Sequence, residues 1–177
     1  MGALTVIAEG EVGSGSAANI TLSSIPDTYD HLWMVTSIRE GGSYFVNLEY
    51  RFNDDSSPYS NTYLYRQSAT SGTVSSRDES SGTGDVISRC GGDSLLADTF
   101  SSNSLWIINY AGTDNFKMCL MQATAPNSSS TDNQYTSMLS VGLYAETPAI
   151  NKIRMQGAGG PEFMQYTSYV LYGVTGV

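Results

Sequence analysis

The stretch Tyr44-Phe45-Val46-Asn47-Leu48-Glu49-Tyr50-Arg51-Phe52 decides the fold class. Tyr44, Val46, Leu48, Tyr50 and Phe52 take every second position, with Phe45, Asn47, Glu49 and Arg51 between them. Successive side chains of a strand point to opposite faces, so this spacing gives one apolar and one mostly polar face. Antiparallel strands with one side on a core and one in water have this pattern. His31–Arg39 precedes it as another strand, and Glu40-Gly41-Gly42-Ser43 between the two reads as a hairpin turn.

The rest of the chain repeats the motif. Short apolar or alternating runs at Leu4–Ala8, Ala18–Leu22, Thr62–Arg66, Ser104–Tyr110, Phe116–Thr124, Tyr135–Tyr144, Ile150–Met155 and Ser168–Val174 are separated by Gly, Ser, Asn, Asp and Pro. Leu105-Trp106-Ile107-Ile108-Asn109-Tyr110 is apolar on both faces, which places it centrally, with Trp33 and Trp106 read as core residues. Ala111-Gly112-Thr113-Asp114-Asn115 supplies a turn to the run after it. No capped amphipathic run of helical period appears. The reading is one all-β domain over 1–177, a two-sheet antiparallel β-sandwich of about ten strands, jelly-roll-like. Gln67–Gly92, with seven serines and five glycines, reads as a long surface loop, and Pro126–Asn133 as a shorter one.

Composition agrees and bounds function. Twelve tyrosines and many β-branched residues favour strands. Only 14% of residues are charged, against roughly 25% in an ordinary soluble domain. Few charges lower the cost of burying surface against another chain, which points to assembly. A net charge of −9 repels phosphate, so nucleic acid is not an expected partner. No apolar run approaches the roughly 18 residues of a membrane span, and the N-terminus lacks the basic start and apolar stretch of a signal peptide. Cys90 and Cys119 are too few for a disulfide framework. A bond between them stays open, and two free thiols are the reading adopted, which suits assembly in a bacterial cytoplasm.

Candidate chemistry is sparse. His31 is the single histidine and the base that a Ser-His-Asp triad would need, but it heads an apolar strand and no G-x-S-x-G elbow is present. Asn53-Asp54-Asp55-Ser56 offers oxygen ligands without EF-hand spacing; a loop calcium at Asp54 and Asp55 competes there with a simple Asx turn. Glu49, Asp54, Asp55 and Glu162 are the carboxylates a glycosidase could use, yet nothing pairs them. Gly157-Ala158-Gly159-Gly160-Pro161 lacks the helix a phosphate loop requires. No cofactor and no enzymatic activity are expected.

Several segments in order resemble a family of small virion proteins from tailed phages, marine and cyanobacterial ones especially. They are Ile20-Thr21-Leu22-Ser23-Ser24-Ile25-Pro26-Asp27-Thr28-Tyr29-Asp30-His31-Leu32, Phe52-Asn53-Asp54-Asp55-Ser56-Ser57-Pro58-Tyr59-Ser60, and Trp106-Ile107-Ile108-Asn109-Tyr110 with Phe116-Lys117. The tail adds Ile150-Asn151-Lys152-Ile153-Arg154-Met155, Phe163, Tyr166-Thr167-Ser168 and Leu171-Tyr172-Gly173-Val174. The resemblance implies a capsid decoration (cement) protein on the outside of a phage head, assembled in the host cytoplasm. Its partners would be itself, as a homotrimer, and the major capsid protein. The alternative is a tail-fibre or receptor-binding module that recognises host glycans. Tyrosine suits interfaces because an apolar ring carries a polar hydroxyl. Tyr59, Tyr63 and Tyr65 are therefore the expected subunit contacts, unless alternate members face the core.

Overall fold

The structure, a computed structural model, describes residues 2–42, 45–56, 59–67, 72–78, 85–125 and 136–176. Strands make up 63% of the described residues, and no helix is among them. The first strands are β1 (Ala3–Glu11), β2 (Ser16–Ala17), β3 (Ile20–Ser23), β4 (His31–Glu40) and β5 (Phe45–Phe52). Then come β6 (Tyr59–Gln67), β7 (Val74–Asp78), β8 (Val86–Gly92), β9 (Ser101–Ile108) and β10 (Lys117–Ala125). The chain closes with β11 (Thr136–Tyr144), β12 (Lys152–Gly157), β13 (Phe163–Met164) and β14 (Ser168–Thr175).

Strand β2 pairs with β13, which meets β4 at Glu40, and the other twelve strands pair in two antiparallel ladders. The long one runs β1-β14-β4-β9-β10-β11-β6-β7. The short one runs β3-β12-β5-β8. They meet where Arg39 and Glu40 pair in parallel with Gly91 and Gly92, and the whole is not closed into a barrel. A single apolar cluster draws on both ladders: Leu32, Met34, Ile107 and Leu171 from the long one, Leu48, Tyr50, Phe52 and Ile153 from the short one. The architecture is an open, sandwich-like all-β fold with its core between the ladders.

Glycines set the spacing of the layers. A Cβ on Gly142 of β11 would lie 2.7 Å from the Val86 side chain, so the bare backbone lets β8 settle across β11. On Gly173 of β14 a Cβ would come within 2.3 Å of the Tyr29 ring, which packs flat on that residue. The edge of β8 away from β5 meets β4 only at its end, and side chains help to satisfy it. Asn61 donates to the Asp85 carbonyl (3.0 Å) and accepts from the Ile87 amide (3.2 Å), and Ser101 Oγ accepts from the Gly91 amide (2.5 Å). Buried backbone groups need such partners, and an uncovered edge invites unwanted pairing.

Two expectations are corrected. Glu40-Gly41-Gly42-Ser43 does not close a hairpin, because β4 pairs in the long ladder and β5 in the short one. Both flanks alternate well, but periodicity does not say which strand a strand pairs with. Gln67–Gly92 is not one loop: β7 and β8 lie within it, and β8 is almost wholly buried. Small Ser and Gly residues made β8 look like a linker, yet they let it pack tightly; a Cβ on Gly91 would lie 2.5 Å from Leu95. Residues 68–71 and 79–84 of that stretch, and Pro126–Asn133, lie outside the described residues.

Candidate association surface

The outward side chains of the long ladder form four rows that can be read from its register. One row is Val6, Tyr172, Trp33, Trp106, Leu120, Val141 and Thr62, across β1, β14, β4, β9, β10, β11 and β6. The row beside it is Leu4, Val174, His31, Ile108, Met118, Leu143 and Ser60. On the other side lie Glu9, Val170, Val35, Ser104, Gln122, Leu139 and Leu64. The fourth is Glu11, Ser168, Ser37, Ser102, Thr124, Ser137 and Arg66.

Strict alternation makes this face. In β10 Cys119, Met121 and Ala123 are buried while Met118, Leu120, Gln122 and Thr124 are exposed, and β11 repeats the pattern. The outward positions are nonetheless largely apolar. Leu4, Val6, Leu64, Ile108, Met118, Leu120, Leu139 and Val141 are 38–53% exposed. Within the four rows the five strands from β14 to β11 carry no Asp, Glu, Lys or Arg. Charges stand at the margins: Glu9 and Glu11 on β1, Arg66 on β6, Arg77 beside Thr62 on β7, and Arg39 at the outward end of β4 beyond the fourth row. On a chain of net charge −9 this is a segregated surface. A contiguous exposed apolar area of this kind marks an interaction site in a folded protein.

Trp33 and Trp106 are not the core residues that their apolar neighbours suggest. Leu32, Met34, Leu105 and Ile107 fill the core, so the period of two turns both indoles outward, where they are half-buried. Trp33 stacks on Trp106 (centroids 5.2 Å, 11° between planes) and on Tyr172 (5.4 Å, 28°). Its Nε1–H donates to Ser104 Oγ at 2.9 Å. Both faces of the Trp33 ring are therefore occupied within the chain.

The three tyrosines expected at subunit contacts lie on the other side of β6. Tyr59 is buried in the core, stacked on Tyr144, and its hydroxyl accepts from the Phe52 amide at 2.9 Å. Tyr63 and Tyr65 pack inward on a small cluster of Ile87, Ala123 and Met138. The Arg89 guanidinium sits 4.0 Å over the Tyr65 ring. Odd positions of β6 face inward, so its outward surface is Ser60, Thr62, Leu64 and Arg66.

The candidate chemical groups are dispersed. His31 Nδ1 accepts from the Asn109 amide at 3.0 Å, which ties the start of β4 to the turn after β9. Asn53 and Asp54 hold positive φ (53° and 63°) in the turn after β5, a conformation Asn and Asp tolerate. Asp54 pairs with Lys152 at 2.6 Å, which lowers its pKa, while Asp55 accepts from the Tyr144 hydroxyl. Glu49 accepts from Gln156 (3.0 Å), and Glu162 accepts from the Ser16 hydroxyl. Among the described residues no three His, Cys, Asp or Glu side chains gather as metal ligands. Cys90 and Cys119 are buried free thiols on β8 and β10, and burial raises both pKa values.

One acid is unusual. Glu40 ends β4, between Phe163 of β13 and Gly92 of β8, with no exposed surface and no hydrogen-bond partner of normal geometry for either carboxyl oxygen. Burial pushes its pKa up to about 8; a contact with Cys90 opposes the shift and the Glu49 charge adds to it. The carboxyl fills the space above Gly157, where a Cβ would meet it at 2.5 Å. The open groove nearby, of about 580 Å³ between Gly41–Gly42 and Ala158–Pro161, has no titratable side chain in its lining. The feature of the described molecule best fitted to bind anything is the apolar face. No protein-family model, no curated protein and no solved structure matches this chain.

Proposed function

We propose that this chain is a non-catalytic association protein and, in the setting its resemblance implies, a decoration protein bound to the outside of a phage head. One observation carries the association part. A sheet face spanning seven strands keeps apolar side chains in water and carries charges only at its margins. Hydration of that face is unfavourable, and covering it releases about 25 cal/mol for each Å² of apolar surface. A protein that binds only the assembled shell stabilises it by mass action at every site it fills. The acidic surface supports an outer position, away from packaged nucleic acid.

The rival reading, a receptor-binding module for host glycans, draws less support from the geometry. Sugar stacking needs a free aromatic face; the Trp33 faces are already taken by Trp106 and Tyr172, which leaves it the outer faces of those two rings and the exposed Tyr166. The test is a particle lacking the protein. Under the decoration reading it assembles normally but loses its genome at lower temperature or milder osmotic shock. Depleted particles that stay equally robust yet fail to adsorb to host cells would establish receptor binding in its place.

A further inference from the structure

The apolar face has a middle. Across its rows run β1, β14, β4, β9, β10, β11 and β6, so β9 is the central strand and Trp106 stands near the centre of the patch. Rotation by 180° about a line lying above the face, parallel to β9, superimposes a second copy face to face. It exchanges β4 with β10, β14 with β11, and β1 with β6, and it leaves each row facing the same row.

That operation brings unlike halves together. Trp33 meets Leu120, Tyr172 meets Val141, Val170 meets Leu139, and Trp106 meets its own mate near the axis. The aromatic half of each face thus covers the aliphatic half of the other. At the rim of the fourth row Glu11 of one copy comes opposite Arg66 of the other, and the reverse on the far side. Sheets packed face to face keep their strand directions within about 30°, so Arg66 stays within side-chain reach of the Glu9–Glu11 stretch. A twofold axis running across the strands would instead set acidic rim against acidic rim.

The size fits as well. Seven strands at roughly 4.8 Å spacing, with about seven residues each at roughly 3.4 Å, cover on the order of 800 Å². A standard stable interface buries about that much on each partner. We propose that two copies of this chain associate through the outer face of the long ladder as an isologous twofold pair, with the axis along β9 and with Arg66 against Glu9 and Glu11 as its charged rim. The pair deepens the association reading above and rests on it. It replaces the trimer with a dimer because one self-complementary face is covered by a single partner, and head binding then falls to the surface the pair leaves exposed.

Sedimentation equilibrium on the purified full-length chain tests this. The expected mass is twice the 19.0 kDa of one chain. Leu120→Arg, confirmed as folded by circular dichroism, should weaken association at least a hundredfold, since each dimer would bury two unpaired charges. Arg66→Glu should weaken it roughly tenfold by setting like charges against each other at both rims. Arg66→Glu combined with Glu9→Arg and Glu11→Arg should recover most of that loss. A wild-type monomer or trimer overturns the pair. A dimer indifferent to Leu120→Arg overturns the face, and failure of the charge exchange to rescue overturns the axis. Binding to phage heads lacking the protein separates this from the functional reading. A monomer that binds them sinks the dimer and leaves decoration standing, whereas a dimer of the expected geometry that does not bind them sinks decoration alone.

Discussion

Glu40 makes the stability of this protein depend on pH in a direction opposite to most carboxylates. In the unfolded chain its carboxyl titrates near 4.5; in the folded protein burial holds the proton to about pH 8. Between these values the folded state binds one proton more than the unfolded state, so stability falls as pH rises. At about 1.4 kcal/mol per pH unit over that window, the loss reaches on the order of 5 kcal/mol by pH 8. The contribution is fully present below pH 4.5 and gone above 8. Glu40→Gln keeps the shape and removes the titration. At pH 5 the amide NH₂ finds no better acceptor than the carboxyl had, so the variant is less stable by about 1–3 kcal/mol. At pH 9 the order inverts and the variant is the more stable protein by roughly 2–4 kcal/mol, the wild-type loss less that penalty. Urea midpoints measured from pH 5 to 9 on both proteins should therefore cross. Parallel curves would show that Glu40 is solvated or paired, and the reasoning from burial would fall.

Two further substitutions probe the placement of single side chains. His31→Gln should change stability by less than about 1 kcal/mol, because the glutamine oxygen can replace Nδ1 as acceptor for the Asn109 amide. Loss of head binding in that variant, with the melting temperature kept, would make the imidazole part of a working site. Gly173→Ala drives a methyl to within 2.3 Å of the Tyr29 ring near its root, where the side chain cannot swing aside without leaving its pocket. A loss of roughly 1–3 kcal/mol by denaturant unfolding is expected, and an unchanged midpoint would mean that Tyr29 does not rest there.

The all-β class was legible because period-two alternation depends only on local geometry. Every strand expected from the runs between Leu4–Ala8 and Ser168–Val174 is present, most within a residue or two of its bounds. Pairing was less legible. Whether β4 meets β5 or β14 depends on contacts far apart in sequence, and a Gly-Gly turn between two strands suits a hairpin and a crossover equally. The glycine that lets β8 settle across β11, Gly142, lies on the other strand, and β8 escaped notice because Ser88, Gly91 and Gly92 are residues that mark loops elsewhere. Its remaining polar edge is met by Asn61 and Ser101, whose roles no local pattern could announce.

The outward apolar face was hidden by an ambiguity in alternation itself. Leu105-Trp106-Ile107-Ile108 and Met118-Cys119-Leu120-Met121 are apolar at both parities, and a run apolar on both faces reads as buried on both. In this fold the short ladder covers only one face of the long one, so the second apolar parity is left in water. The signal that separates the two cases is the company each residue keeps along its row. Inward rows continue into the opposing ladder, while outward rows run through Ser102, Ser104, Ser137 and Thr124 and end on Glu11 and Arg66. Inward rows hold polar side chains too, Thr36, Asn103, Thr136 and Ser140 among them, so the distinction rests on the charges at the margin, which a surface in water accommodates. Read row by row, the low charge content has a location: among the described residues the acids lie on the loops, in the buried positions of Glu40, Glu49 and Asp85, at Asp78 ending β7, and at the β1 rim. The centre of the long ladder's outer face carries none of them.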